Sequence, residues 1–218
     1  MSRSTGTPER LKVMTMAQAA DRSKAGQAAP SARCHGRLGT IIDSERRALR
    51  PIGSTAQEVA ERTGELLRDL FALPGVHIFQ GVRPTAADAP RISHAIVAGR
   101  QVVLVESVAW PPGRYAAAAT GRIYCDGTYI GQSVRPLTDA VRYWREILPP
   151  GHRVSALVVV HLTTAGDLGL PATTSRALAW ARAEDAVPDI RARLSRVRLA
   201  ISMKAVAALV AATAEDER

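Results

Sequence analysis

Val59, Thr63, Leu66, Leu67, Leu70 and Phe71 recur at helical spacing behind Thr55-Ala56-Gln57-Glu58. Thr55 followed three residues later by Glu58 is a capping-box start, so a helix is predicted from about residue 56, stopping before Pro74-Gly75. Val76-His77-Ile78-Phe79-Gln80-Gly81-Val82 then alternates and reads as a strand, followed by a proline-containing loop, Arg83 through Pro90. Ile92–Val97 and Val102–Val105 form two apolar strands around a tight turn at Ala98-Gly99-Arg100-Gln101. The second strand ends on Glu106, and Trp110-Pro111-Pro112-Gly113 breaks it. Asp126-Gly127 between Gly121–Cys125 and Thr128–Ile130 predicts a hairpin. Leu137, Val141, Trp144 and Leu148 share one helical face, and Pro149-Pro150-Gly151 ends that helix. Val154–His161 is a β-branched run that fits a strand buried on both sides. After Leu162 the pattern returns to helices, with an amphipathic start at Ala177-Leu178-Ala179-Trp180, Pro188 in the first turn of a helix running to Leu194, and a last Ala-rich helix from Leu199 to Ala212. The order α-β-β-β-β-β-α-β-α-α predicts an α/β protein with a mixed sheet flanked by helices.

This pattern divides the chain of 218 residues into three stretches. Residues 1–50 carry 10 Lys and Arg against 4 Asp and Glu and little aliphatic periodicity, so they are read as a disordered basic tail. Residues 51–165 are the core, and residues 166–218 are a helical C-terminal extension expected to pack on it. The formal net charge of +9 permits contact with an anionic polymer. Arg-rich, Ala- and Val-rich composition is also what a GC-rich genome produces, which weakens any functional reading of the charge. Cys34 and Cys125 form neither a disulfide framework nor a zinc pattern, which suits a reducing compartment. No apolar run reaches the roughly 18 residues of a membrane span, and Met1–Gly6 lacks the apolar segment of a signal peptide. A cytoplasmic protein without membrane contact is expected.

The chemistry turns on Glu106. Residues i and i+2 of a strand share a face. A carboxylate and a lysine so placed, with a second acid on a neighbouring strand, hold Mg²⁺ and orient a water at a phosphodiester. Thr63-Gly64-Glu65, Ile92-Ser93-His94-Ala95-Ile96-Val97, Val103-Leu104-Val105-Glu106-Ser107-Val108-Ala109-Trp110, and Arg135-Pro136 before a helix and a Val-rich strand occur in that order. Together they resemble the nuclease-related domain, NERD, of the PD-(D/E)XK superfamily. The first looks like its helical Gly-Glu pair, the second its I-D-H strand and the third its E-x-K-x-W strand. The last looks like its S/N-P helix and closing strand. The resemblance covers a little under half of the chain. It implies a restriction-endonuclease-like fold, DNA binding and a Mg²⁺ site.

Two positions depart from that family: Ser93 stands where it has its metal-binding Asp, and Val108 where it has its Lys. Serine is a neutral, weak Mg²⁺ ligand, and valine supplies neither charge nor proton. Loss of one positioned electrostatic group commonly costs ~10²–10³ in rate. Glu65 and Glu106 remain as vestigial catalytic and metal-binding candidates, with His94 beside them. The reading leans towards a degenerate, non-catalytic site with no bound Mg²⁺. The alternatives are an active Mg²⁺-dependent nuclease with a relocated site, drawing on Asp88 or Arg114 rather than the distant Arg100, and a non-enzymatic structural or regulatory module. Nucleic acid and a protein are the two partner classes left open. His77, His152 and His161 lack ligand spacing and are assigned to packing or surface roles, and Trp110, Trp144 and Trp180 to core anchors. Cys34-His35 can bind a metal only adventitiously. Arg191, Arg193, Arg196 and Arg198 read as a solvated helix end, and Gly166–Gly169 lacks the context of a nucleotide loop.

Overall fold

The computed structural model describes residues 30–38, 49–83, 91–173, 177–194 and 201–214. Helix α1, Ala56–Leu67, begins as its sequence dictates. The Thr55 hydroxyl accepts from the Glu58 amide at 3.2 Å, and the Glu58 carboxylate accepts from the Thr55 amide at 2.9 Å. Two otherwise orphaned donors are thereby satisfied, a device worth about 1 kcal/mol. The helix tightens into a 3-10 turn at Arg68–Ala72 before Pro74-Gly75. Its buried face comprises Ala56, Val59, Ala60, Thr63, Gly64 and Leu67.

Six strands form the main sheet: β1 Cys34–Gly36, β2 Val76–Val82, β3 Ile92–Ala98, β4 Gln101–Trp110, β8 Arg153–Leu162 and β10 Leu178–Arg182, in that spatial order. β2, β3 and β4 are antiparallel neighbours. β8 runs parallel to β4 over its whole length, from Gln101↔Arg153 to Trp110↔Leu162. Both central strands are covered on two faces, which is why they read as unbroken apolar runs. Leu104, Val108 and Trp110 face helix α2, Arg135–Ile147, through Leu137, Val141 and Trp144, together with Val206 and Leu209 of helix α4, Met203–Ala214. Val103 and Val105 face the other way, towards Leu67 of α1 and Ile190 of helix α3, Ala186–Leu194. The result is a mixed α/β protein of helix, sheet and helix layers. None of the described helices is long and apolar enough to cross a membrane.

A second, four-stranded sheet lies beside the first, in the order β7 Thr128–Ser133, β6 Arg122–Cys125, β5 Gly113–Ala117 and β9 Leu168–Gly169. Its hairpin is the predicted one: Asp126 and Gly127 both take positive φ, at 48° and 82°. The two-residue turn demands this, and Asp and Gly tolerate it.

Three parts of the fold differ from the sequence-based expectation. Cys34–Gly36, placed in the disordered tail, is an edge strand parallel to β2, and Leu38 and Leu49 are buried. The Arg33 guanidinium anchors the entry by donating to the carbonyls of Phe71 and Leu73, both at 2.9 Å. Main-chain pairing to a strand some forty residues away leaves no mark in local composition. The rest of the expected tail, 1–29 and 39–48, lies outside the described residues. In Ala177–Trp180, read as the start of a helix, Leu178 onwards belongs to β10, which adds to the sheet parallel to β8. In Leu178-Ala-Trp-Ala-Arg, Trp180 faces one layer while Ala179 and Ala181 face the other, so tertiary pairing overrides the helical propensity of Ala and Leu. Residues 166–218 are therefore not purely helical. Strand β5 was not expected after Pro111-Pro112, which lie outside any strand and let the chain turn from one sheet into the other.

Candidate functional site

β3 and β4 carry the motif residues on neighbouring strands, with His94 opposite Val105. Beyond His94 the ladder to β2 is irregular: Gln80 pairs with His94 and Val82 with Ile92, while Gly81 between them takes φ +64°. Ser93, where the resemblance to NERD expects an Asp, is fully buried. Its hydroxyl donates to the Val105 carbonyl at 2.8 Å and lies 3.4 Å from the Ser107 hydroxyl. It is thus committed to the main chain of the adjacent strand.

Strand alternation puts Glu106 on the same face as Leu104 and Val108, on the α2 side of the sheet. Glu106 is 5% exposed, and its carboxylate accepts from the Ser107 amide at 3.3 Å. Val108, where the resemblance to NERD expects a Lys, has no exposed surface and belongs to the apolar core. Glu65 is on α1, on the opposite side of the sheet. It is exposed, at the mouth of a depression of about 550 Å³ shared with Arg37, Gln57, Glu61, Arg68 and Gln80. The two carboxylates predicted to act together are therefore held apart by the sheet. The reason is parity: Gly64-Glu65 follows the odd-numbered face of β4, and Glu106 points to the even-numbered one. Among the described residues no group of three His, Cys, Asp or Glu is placed to hold a metal.

The structure brings together a different set under α1. The Thr63 hydroxyl and His161 Nε2 are hydrogen-bonded at 2.8 Å, both buried. Gly64 rests directly on His94: a Cβ there would stand 3.0 Å from His94 Nε2 and 3.6 Å from Gln80 Nε2. His94 is completely buried, and neither ring nitrogen has a hydrogen-bond partner among the described residues. Burial pushes its pKa down to about 4. His161 is also lowered to about 4, mainly by burial and further by the Arg62 guanidinium, with Glu184 pulling the other way. Both imidazoles are neutral at pH 7. A base without solvent access or a partner cannot relay a proton to substrate, so His94 is a packing element at this site.

A further pair escaped the sequence reading. His35 Nε2 and His77 Nδ1 lie 3.0 Å apart across β1 and β2, and the His35 ring stacks on Phe79. Burial lowers both pKa values, His77 further through His35 and Arg33. The only hint in the sequence was a histidine in each segment, which becomes meaningful once β1 and β2 are known to pair. His152 bridges Pro149 O and Ser202 Oγ, both at 2.7 Å. Trp110, Trp144 and Trp180 are core residues, Trp110 stacking on Tyr115 at 4.2 Å. Of the residues considered for a relocated site, Arg114 is exposed, with its amide donating to Asp126 at 3.1 Å, and Arg100 sits at the far turn. Asp88, Arg196 and Arg198 lie outside the described residues.

No family model, curated protein or solved structure matches the chain.

Proposed function

We propose that the chain is a nuclease-fold domain of the NERD type that has lost phosphodiester hydrolysis and acts by binding nucleic acid. The order of α1, β3, β4, α2 and β8 supports the fold part of this reading, since it is the order the resemblance implies. The observation that carries the loss of chemistry is the pair Glu106 and Val108. The position that needs a cation is filled by a fully buried valine, and the carboxylate two residues before it faces away from Glu65. The residues present do not fit Mg²⁺, which asks for several hard oxygen ligands converging on one point. Ser93 offers a hydroxyl already donated to Val105, and Glu65 is across the sheet. The net charge of +9 supports the binding part.

Calorimetry with Mg²⁺ and Mn²⁺ tests the reading, on the wild type and on Glu106→Ala, beside cleavage assays on single- and double-stranded DNA. No binding at millimolar metal and no cleavage are expected, with DNA binding that weakens steeply as salt rises. Metal binding abolished by Glu106→Ala, together with cleavage, would establish an active nuclease instead. Failure to bind DNA at low salt would favour an interaction module. One observation speaks for that second reading: Ile201, Met203 and Val210, at and on α4, are 43%, 66% and 38% exposed.

A further inference from the structure

Away from Glu106, at the end of the sheet where β4 and β8 begin, three arginines from distant parts of the sequence line one depression, with a fourth beside it. Arg145 of α2, Arg153 of β8 and Arg193 of α3 line a depression of about 640 Å³ with His152, Ser155 and Asp189. Arg100 stands beside it on the β3–β4 turn, its carbonyl accepting from the Arg153 amide at 2.9 Å. Arg145 is fixed in place: its Nε and Nη2 both donate to the Val154 carbonyl, at 3.1 and 2.8 Å. The guanidiniums of Arg100, Arg153 and Arg193 make no hydrogen bond or ion pair among the described residues, and Asp189 is the one carboxylate lining the depression. Several like charges gathered around a single carboxylate raise one another's energy, and an anion relieves this. Guanidinium forks match phosphate oxygens in geometry as well as charge.

We infer that this rim is a phosphodiester-binding surface, gripped by Arg100, Arg153 and Arg193. The inference rests on the nucleic-acid reading above and assigns that contact a place. Glu106 lies five residues along β4 from Gln101, roughly 17 Å at strand spacing, so the surface is separate from the motif positions. A polymer suits it better than a lone phosphate. The cations stand on a turn, a strand and a helix, and a duplex presents one charge per roughly 1.7 Å of axis.

The test is fluorescence anisotropy of a labelled DNA duplex with the full chain, from 50 to 200 mM salt, on the wild type and two charge-matched triple variants. R100Q/R153Q/R193Q removes the rim, and R62Q/R122Q/R142Q removes three exposed arginines elsewhere. The rim variant is expected to lose about tenfold or more in affinity at the lowest salt. Its slope of log K against log salt should be shallower by about 2.7, while the control keeps more of both. The single variant R153Q, with a slope shallower by about 0.9, gives the same answer should the triple variant fold poorly. If the rim variant binds like the wild type, or both triple variants weaken equally, this surface is refuted while the nucleic-acid reading stands. If the wild type does not bind at 50 mM salt, both fall together.

Discussion

Replacing His94 by Leu isolates the energetic consequence of a buried, unpartnered imidazole. His94 has no solvent exposure and no hydrogen-bond partner among the described residues, and burial holds its pKa near 4. The unfolded chain returns it to about 6.5. The folded value lies below the unfolded one, so the unfolded state takes up the proton first on acidification. The contribution is fully present above about pH 6.5 and is lost as pH falls towards 4. At pH 5 the loss reaches about 2 kcal/mol, from roughly 1.5 pH units at 1.36 kcal/mol each. Leucine does not titrate, and it removes two ring nitrogens that were desolvated without compensation. Urea denaturation of both proteins at pH 7.5 and pH 5.0 checks this. At pH 7.5 His94→Leu should match or exceed the wild type. Between the two pH values it should lose about 2 kcal/mol less, a midpoint difference on the order of 1 M urea. Carboxylates and the other histidines titrate in both proteins and cancel. Equal losses in the two proteins would refute the assignment of His94 as a neutral packing group.

Two further substitutions probe the site's surroundings. Gly81 takes φ +64°, and a Cβ there would collide with the Arg37 carbonyl oxygen, so Gly81→Ala should cost about 2 kcal/mol or more in urea denaturation. A variant with unchanged stability would show that β2 does not pass residue 37 this closely. The double variant S93D/V108K introduces the residue types that the resemblance to NERD expects but puts a lysine into a fully apolar, fully buried position. It should lose about 3 kcal/mol or more, measured by thermal or chemical unfolding, and gain no Mg²⁺-dependent cleavage. A well-folded variant that cleaves DNA would overturn the proposed loss of chemistry.

Local rules in the sequence determined much of this protein. The capping box at Thr55 and Glu58, the Asp126-Gly127 hairpin, the face shared by Leu137, Val141 and Trp144, and the double-sided apolar runs of β4 and β8 are each legible from spacing. Each reflects a period or a backbone preference acting within a few residues. The identities at Ser93 and Val108, on which the proposed loss of hydrolysis rests, are equally a property of the sequence. Tertiary structure alone decided the rest. The pairing of Cys34–Gly36 with β2 and of Leu178–Arg182 with β8 depends on partners far along the chain, and so do the meeting of His35 with His77 and the gathering of Arg145, Arg153 and Arg193, beside Arg100, at one end of the sheet. It also separated Glu65 from Glu106. Motif spacing does not say which face of the sheet a helix will cover, and α1 packs its Gly64 onto His94, on the face Glu106 turns away from. Strand parity is local, but the layer opposite it is chosen only when the whole core packs.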